Sequence, residues 1–106
     1  MMSNETLLAQ VKRKLNITWE DDDTTARIEE IMESAIPDLK HKLGIVEDDF
    51  DFSQPGTERN LFLSYCLYEW NHSLPEFDDN YSNIIAQCRA KHEVRNHVNS
   101  GVITDA

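Results

Sequence analysis

One stretch restricts the fold more than any other: Thr57 to Leu74, TERNLFLSYCLYEWNHSL. Leu61, Phe62, Leu63, Tyr65, Cys66, Leu67, Tyr68 and Trp70 put apolar or aromatic side chains on nearly every side, and no Gly or Pro interrupts them. The run is too long for an ordinary strand, so it reads as helix, over about 57–73. A helix that is apolar most of the way round has to lie in the middle of its domain, covered by other helices. With 106 residues in all, the chain suffices for one domain, which can remove roughly two thirds of its unfolded surface from water. A single core is therefore within reach without disulfides or a structural metal.

The covering helices are legible on either side. Leu7, Leu8, Val11 and Leu15 mark one face of a short first helix, with Ser3 or Asn4 placed to cap it and Glu5 at its positive end. Lys12, Arg13 and Lys14 suit its negative end. Asn16 to Asp23 reads as a connector whose Trp19 folds onto the core and whose aspartates start the next helix. From about Asp22 to Leu43, Ile28, Ile31, Met32, Ala35, Ile36, Leu39 and Leu43 keep one helical phase, and Gly44 supplies a left-handed cap. Pro37 removes a backbone hydrogen bond within that helix, so a kink is expected, without a break because the phase continues.

Ile45 to Gly56, IVEDDFDFSQPG, is the longest irregular segment. Phe50 and Phe52 alternate with Asp49 and Asp51, which gives an extended piece one greasy face. Asp49, Asp51 and Ser53 imitate the first ligands of a calcium loop, but Gln54 stands where the turn glycine belongs and Asn60 where the bidentate glutamate belongs. After the central helix, Pro75 suits the first turn of a fourth, with Phe77, Tyr81, Ile84, Ile85, Cys88 and His92 on its apolar face. The expected fold is all-α: a compact four-helix bundle over residues 1–95, with 96–106 a mobile C-terminal tail.

Charge excludes several classes of partner. A formal net charge of −10 leaves too few cations to displace the counterions of a nucleic acid, and it disfavours an anionic membrane surface. No apolar run approaches the roughly 20 residues that cross a bilayer. The start MMSNETLLAQ lacks the basic-then-apolar form of a secretory signal. Two cysteines, Cys66 and Cys88, inside expected helices suit buried thiols in a reducing cytoplasm.

Little in the sequence offers chemistry. Cys88 and His92 lie one helical turn apart, a spacing zinc can use, but a structural zinc needs four ligands. Cys66, His72 and His97 are the residues available to complete such a set, and none falls in a recurrent zinc pattern. A core cysteine beside a surface histidine is the simpler reading. As a nucleophile pair the two lack any glycine loop to hold an oxyanion. The aromatic set Tyr65, Tyr68, Trp70, Phe77 and Tyr81 has the spacing of core packing. No catalytic residue, metal or cofactor is expected.

In order, the chain shows VKRKLNIT, an acidic WEDDDT start, ARIEEIMESAIPDLKHKLG, an acidic-aromatic loop, YCLYEWNHS and LPEFDDNYSNIIAQCRAKHEV. This pattern, over about residues 5–95, resembles the small head–tail connector, or adaptor, proteins of tailed bacteriophages and prophages. LNITWEDDDT, Ala35 nine residues before Gly44, and the aromatic helix followed by EF..NY carry most of the likeness. Pro37 departs from the family's second helix. The resemblance implies a non-enzymatic structural subunit, made in the bacterial cytoplasm and placed in the virion neck. It implies a homo-oligomeric ring, about twelve-fold, beneath the portal protein. The ring would extend the DNA exit channel and dock a stopper or tail-completion protein.

An acidic wall fits a tube through which DNA slides without being gripped. The residues expected at subunit and portal interfaces are Lys12, Arg13, Lys14, Trp19, Asp21, Asp22, Asp23, Glu47, Asp48, Asp49, Phe50, Asp51 and Phe52. A small acidic regulator-binding or DNA-mimicking inhibitor also uses many carboxylates, although it needs them arrayed at phosphate-like spacing. A small enzyme or metal protein built on Cys88 and His92 is the third reading.

Overall fold

The computed structural model describes the backbone of residues 2–99 and the side chains of residues 6–98. The described residues form five helices and no strand: α1 (Met2–Lys14), α2 (Asp22–Leu43), α3 (Thr57–Trp70), α4 (Leu74–Asn80) and α5 (Ser82–Asn99). As its composition requires, α3 is central and touches each of the other four. Leu61, Phe62, Tyr65 and Cys66 form its fully buried stripe. Against it pack Leu7 and Val11 of α1, Ile28, Ile31, Met32, Ala35, Leu39 and Leu43 of α2, and Phe77 of α4.

The ends of α2 follow from local chemistry. The Asp21 side chain caps the start by accepting hydrogen bonds from the Thr24 backbone N–H and hydroxyl, both at 2.8 Å. At the other end Gly44 is left-handed (φ 68°, ψ 30°). Its N–H donates to the His41 carbonyl and that of Ile45 to the Lys40 carbonyl, the paired bonds of a Schellman turn. The helix runs unbroken across Pro37, whose ring faces solvent.

Four expectations change. First, the single fourth helix is two, α4 and α5, parted at Tyr81. The run Asp78-Asp79-Asn80-Tyr81-Ser82-Asn83 is poor in helix formers, and the Tyr81 ring stacks on Phe77 at 5.0 Å, which holds the corner. The helical phase restarts there, so Ile84 is exposed while Cys88 and His92 turn inward. Second, the tail does not begin at Asn96: residues 96–99 continue α5, and 100–106 lie outside the described residues. Third, Trp19 does not fold onto the core but is 53% exposed, because the connector is short and held close to α1 by the Ile17 N–H bond to Lys12. Fourth, α1 already includes Ser3 and Asn4 in its first turn, so neither precedes it as a cap.

The irregular segment is anchored by its aromatic residues. Phe52 is buried and stacks on Phe62 at 5.1 Å, with the Phe50 ring edge-on to it at 4.9 Å. Asp51 closes the turn by accepting from the Ser53 N–H and hydroxyl and from the Gln54 amide.

Phe62→Ala should lower stability by about 3–5 kcal/mol, since no relaxation of a single ring site fills the void. Leu67→Ala, on the half-buried face of the same helix, should cost less than about 2 kcal/mol. Urea unfolding of the two variants checks the ranking; equal losses would mean that α3 does not present the face described. Gly44→Ala should cost about 1–2 kcal/mol because an L-residue is strained at that φ.

Candidate functional site

The expected interface residues divide by burial. Arg13, Lys14, Asp21, Asp22, Asp23, Asp48 and Asp49 are exposed, as is Trp19. Lys12 is half-buried, with its ammonium 3.9 Å from Glu20. Glu47 is half-buried and 4.0 Å from Arg95. Phe50 and Asp51 are half-buried, and Phe52 belongs to the core and offers no surface.

The polar chemistry gathers elsewhere, where α5 crosses the start of α3. Glu58 lies in the first turn of α3, where the helix dipole favours an anion. Cys88, Lys91 and His92 sit at positions i, i+3 and i+4 of α5, hence on one face. All three converge on one carboxylate oxygen, Glu58 Oε2. The Lys91 ammonium donates to it at 2.7 Å, His92 Nε2 lies at 2.7 Å, and the Cys88 thiol donates at 3.6 Å. The Phe50 ring covers His92 edge-on at 5.8 Å.

His92 is 1% exposed, so the expected surface histidine is a buried one. Its Nδ1 has no protein partner. The ring meets the Glu58 contact with a proton on Nε2, which donates to the carboxylate.

Burial raises the Glu58 carboxyl, but the Lys91 hydrogen bond, its own backbone N–H, the His92 bond and the Lys91 charge outweigh it. The carboxyl falls from 4.5 to about 2. Burial, then the Glu58 charge, pushes the Cys88 thiol up to about 11. Burial and the Glu69 charge push Cys66 up to about 12. Both thiols are protonated at neutral pH and poorly nucleophilic. Cys88 donates to Glu58 instead of being activated by His92, so the pair is no nucleophile dyad.

A surface cavity of 430 Å³ opens beside the cluster, lined by Cys88 and Lys91 together with Thr57, Asn60, Tyr81 and Ile84. The aromatic set packs mostly ring against ring. Phe77 meets Tyr65, Tyr68 and Tyr81 at ring distances of 5.0 to 5.9 Å, which is core packing. Trp70 lies beneath the Arg27 guanidinium at 4.4 Å. Of the residues named as completing a zinc set, Cys66 is deep in the core, His72 is exposed beside Arg27, and His97 is exposed. Glu58 had no signal of its own in the sequence, being one acid among many.

No protein-family model matches the chain, and no curated protein or solved structure matches it either. Among the described residues, no helix is long and apolar enough to cross a membrane.

The Glu58 carboxyl is lowered to about 2 in the folded chain against 4.5 ordinarily, so between those values the unfolded chain holds the proton more readily. The stability that Glu58 contributes is complete above pH 4.5 and lost as pH falls to about 2. Glu58→Gln should be less stable at neutral pH and should lose less across that window. Thermal melts at stepped pH, with a chelator present, test this; parallel profiles for the two proteins would refute the clamp.

Proposed function

We propose that this protein is a head–tail connector subunit of a tailed bacteriophage or prophage. It would form a ring below the portal protein and present a surface for the next neck component. Alongside the sequence resemblance, the observation that supports this reading best is where the exposed apolar residues lie. Trp19 (53% exposed) immediately precedes the acidic run Glu20–Asp23, and Val46 (68% exposed) immediately precedes Glu47–Asp49. An aromatic or aliphatic anchor beside a charged margin is the composition of a contact patch, with an apolar centre and a polar rim.

Arg13 and Lys14, exposed at the end of α1, form a patch of the opposite sign. Ring closure needs two unlike patches on one subunit, each meeting the other on its neighbour. Identical subunits of charge −10 repel unless such patches are juxtaposed. Lys12 contributes less, because it already faces Glu20 within the subunit. Rim charges mainly orient partners, and the anchors contribute most of the affinity. The remaining surface carboxylates would keep a DNA channel from binding what passes through it.

Trp19→Ala should keep its melting temperature within about a degree or two, since the side chain is largely exposed. It should nevertheless lose assembly with the portal protein encoded by the same genome, seen by analytical ultracentrifugation and electron microscopy. Arg13→Glu with Lys14→Glu should weaken assembly, and adding Asp22→Lys with Asp49→Lys should restore part of it. A wild-type chain that forms no complex with that portal protein would overturn the connector reading. Normal assembly of the Trp19 variant would move the interface elsewhere.

A further inference from the structure

We propose that Glu58, Cys88 and His92 form a binding site for a divalent transition metal, zinc by the chemistry of its donors, with Lys91 occupying the ion's place when no metal is bound. The donor set is one carboxylate, one thiol and one imidazole, the mixture that suits a borderline-soft ion. Among the described residues these three ligand atoms all lie within 4.8 Å of one another. Tetrahedral zinc, with bonds of about 2.0–2.3 Å, separates its ligand atoms by roughly 3.3–3.6 Å. The Cys88–Glu58 distance of 3.6 Å already matches, and the His92–Glu58 distance of 2.7 Å has to open by less than about 1 Å. The adjoining cavity gives an ion a path in and a water room to stand as fourth ligand.

Charge balances in both states. Without metal, an ionised Glu58 faces the Lys91 ammonium, and the Cys88 thiol holds its proton. With metal, the Cys88 thiol releases its proton to solvent and the sulfur bonds the ion. Glu58 Oε2 and His92 Nε2 bond it as well, and the ring proton moves to Nδ1, where no protein donor opposes it. The Lys91 side chain, already 58% exposed on a flexible stem, swings into water. Two positive charges, the ammonium and the thiol proton, leave as the doubly charged ion arrives. The charge that leaves the partly buried site thus offsets the charge that arrives, which avoids the large cost of an uncompensated charge.

The test uses untagged full-length protein, freed of metal with a chelator and titrated with cobalt(II) and then zinc(II). The expected results are stoichiometric cobalt uptake with a thiolate-to-metal charge-transfer absorption, displacement by zinc, and a melting temperature raised by zinc. Cys88→Ser and His92→Gln should lose both signals, and Cys66→Ser should keep them. Lys91→Ala alters an exposed side chain and therefore folds whatever becomes of the buried variants. It should bind zinc about tenfold more tightly or better, because one charge-assisted hydrogen bond no longer competes. Absence of the absorption and of the zinc-dependent shift in wild type would overturn the site. So would persistence of the absorption in Cys88→Ser, or unchanged affinity in Lys91→Ala.

Discussion

Every other element depends on the burial of α3. Its stripe of Leu61, Phe62, Tyr65 and Cys66 cannot be left in water, and four helices and one loop are arranged to cover it. At roughly 25 cal/mol per Å² of apolar surface, side chains of this size supply the main attraction in so small a domain. The loop between α2 and α3 takes part in the same task, since Phe52 enters the core and stacks on Phe62. A segment without regular structure is thereby fixed by one aromatic residue.

α5 is held differently. Of its described side chains, Cys88 and His92 are fully buried, so its docking relies on polar contacts. Arg89 donates to the carbonyls of His41 and Lys42, and Asn96 donates to that of Gly44 at 2.8 Å. These carbonyls lie at or just past the end of α2, and the His41 oxygen also accepts from the Gly44 N–H. α5 thus serves as the C-terminal cap of α2, while its Lys91 and His92 bind the carboxylate at the start of α3.

Periodicity made α2 legible almost to the residue, because a long apolar phase, an aspartate cap and a glycine stop agree with one another, whereas α3, expected over about 57–73, starts at Thr57 but ends at Trp70. It failed where that agreement is missing. The apolar spacing alone does not distinguish one helix of about 20 residues from two joined at Tyr81; the signal was the run of poor helix formers from Asp78 to Asn83. Trp19 was misplaced because a large aromatic residue is ordinarily buried, whereas here a short connector gives it no route inward. The Cys88–His92 spacing on α5 was visible. Its third member was not, because Glu58 comes from another helix and only the crossing of α3 and α5 brings it near.

That crossing also bears on how the molecule meets others. The far end of α5 carries Val94 and Val98, 63% and 55% exposed, on a helix that buries only Cys88 and His92 among its described side chains. The apolar effect therefore holds α5 only weakly, and its direction follows from how Glu58, Arg89 and Asn96 are satisfied. Most carboxylates of this chain lie in water, where they lend charge and little structure. Glu58 differs from these: shielded, ionised and bound from three side chains, it ties the helix that organises the core to α5.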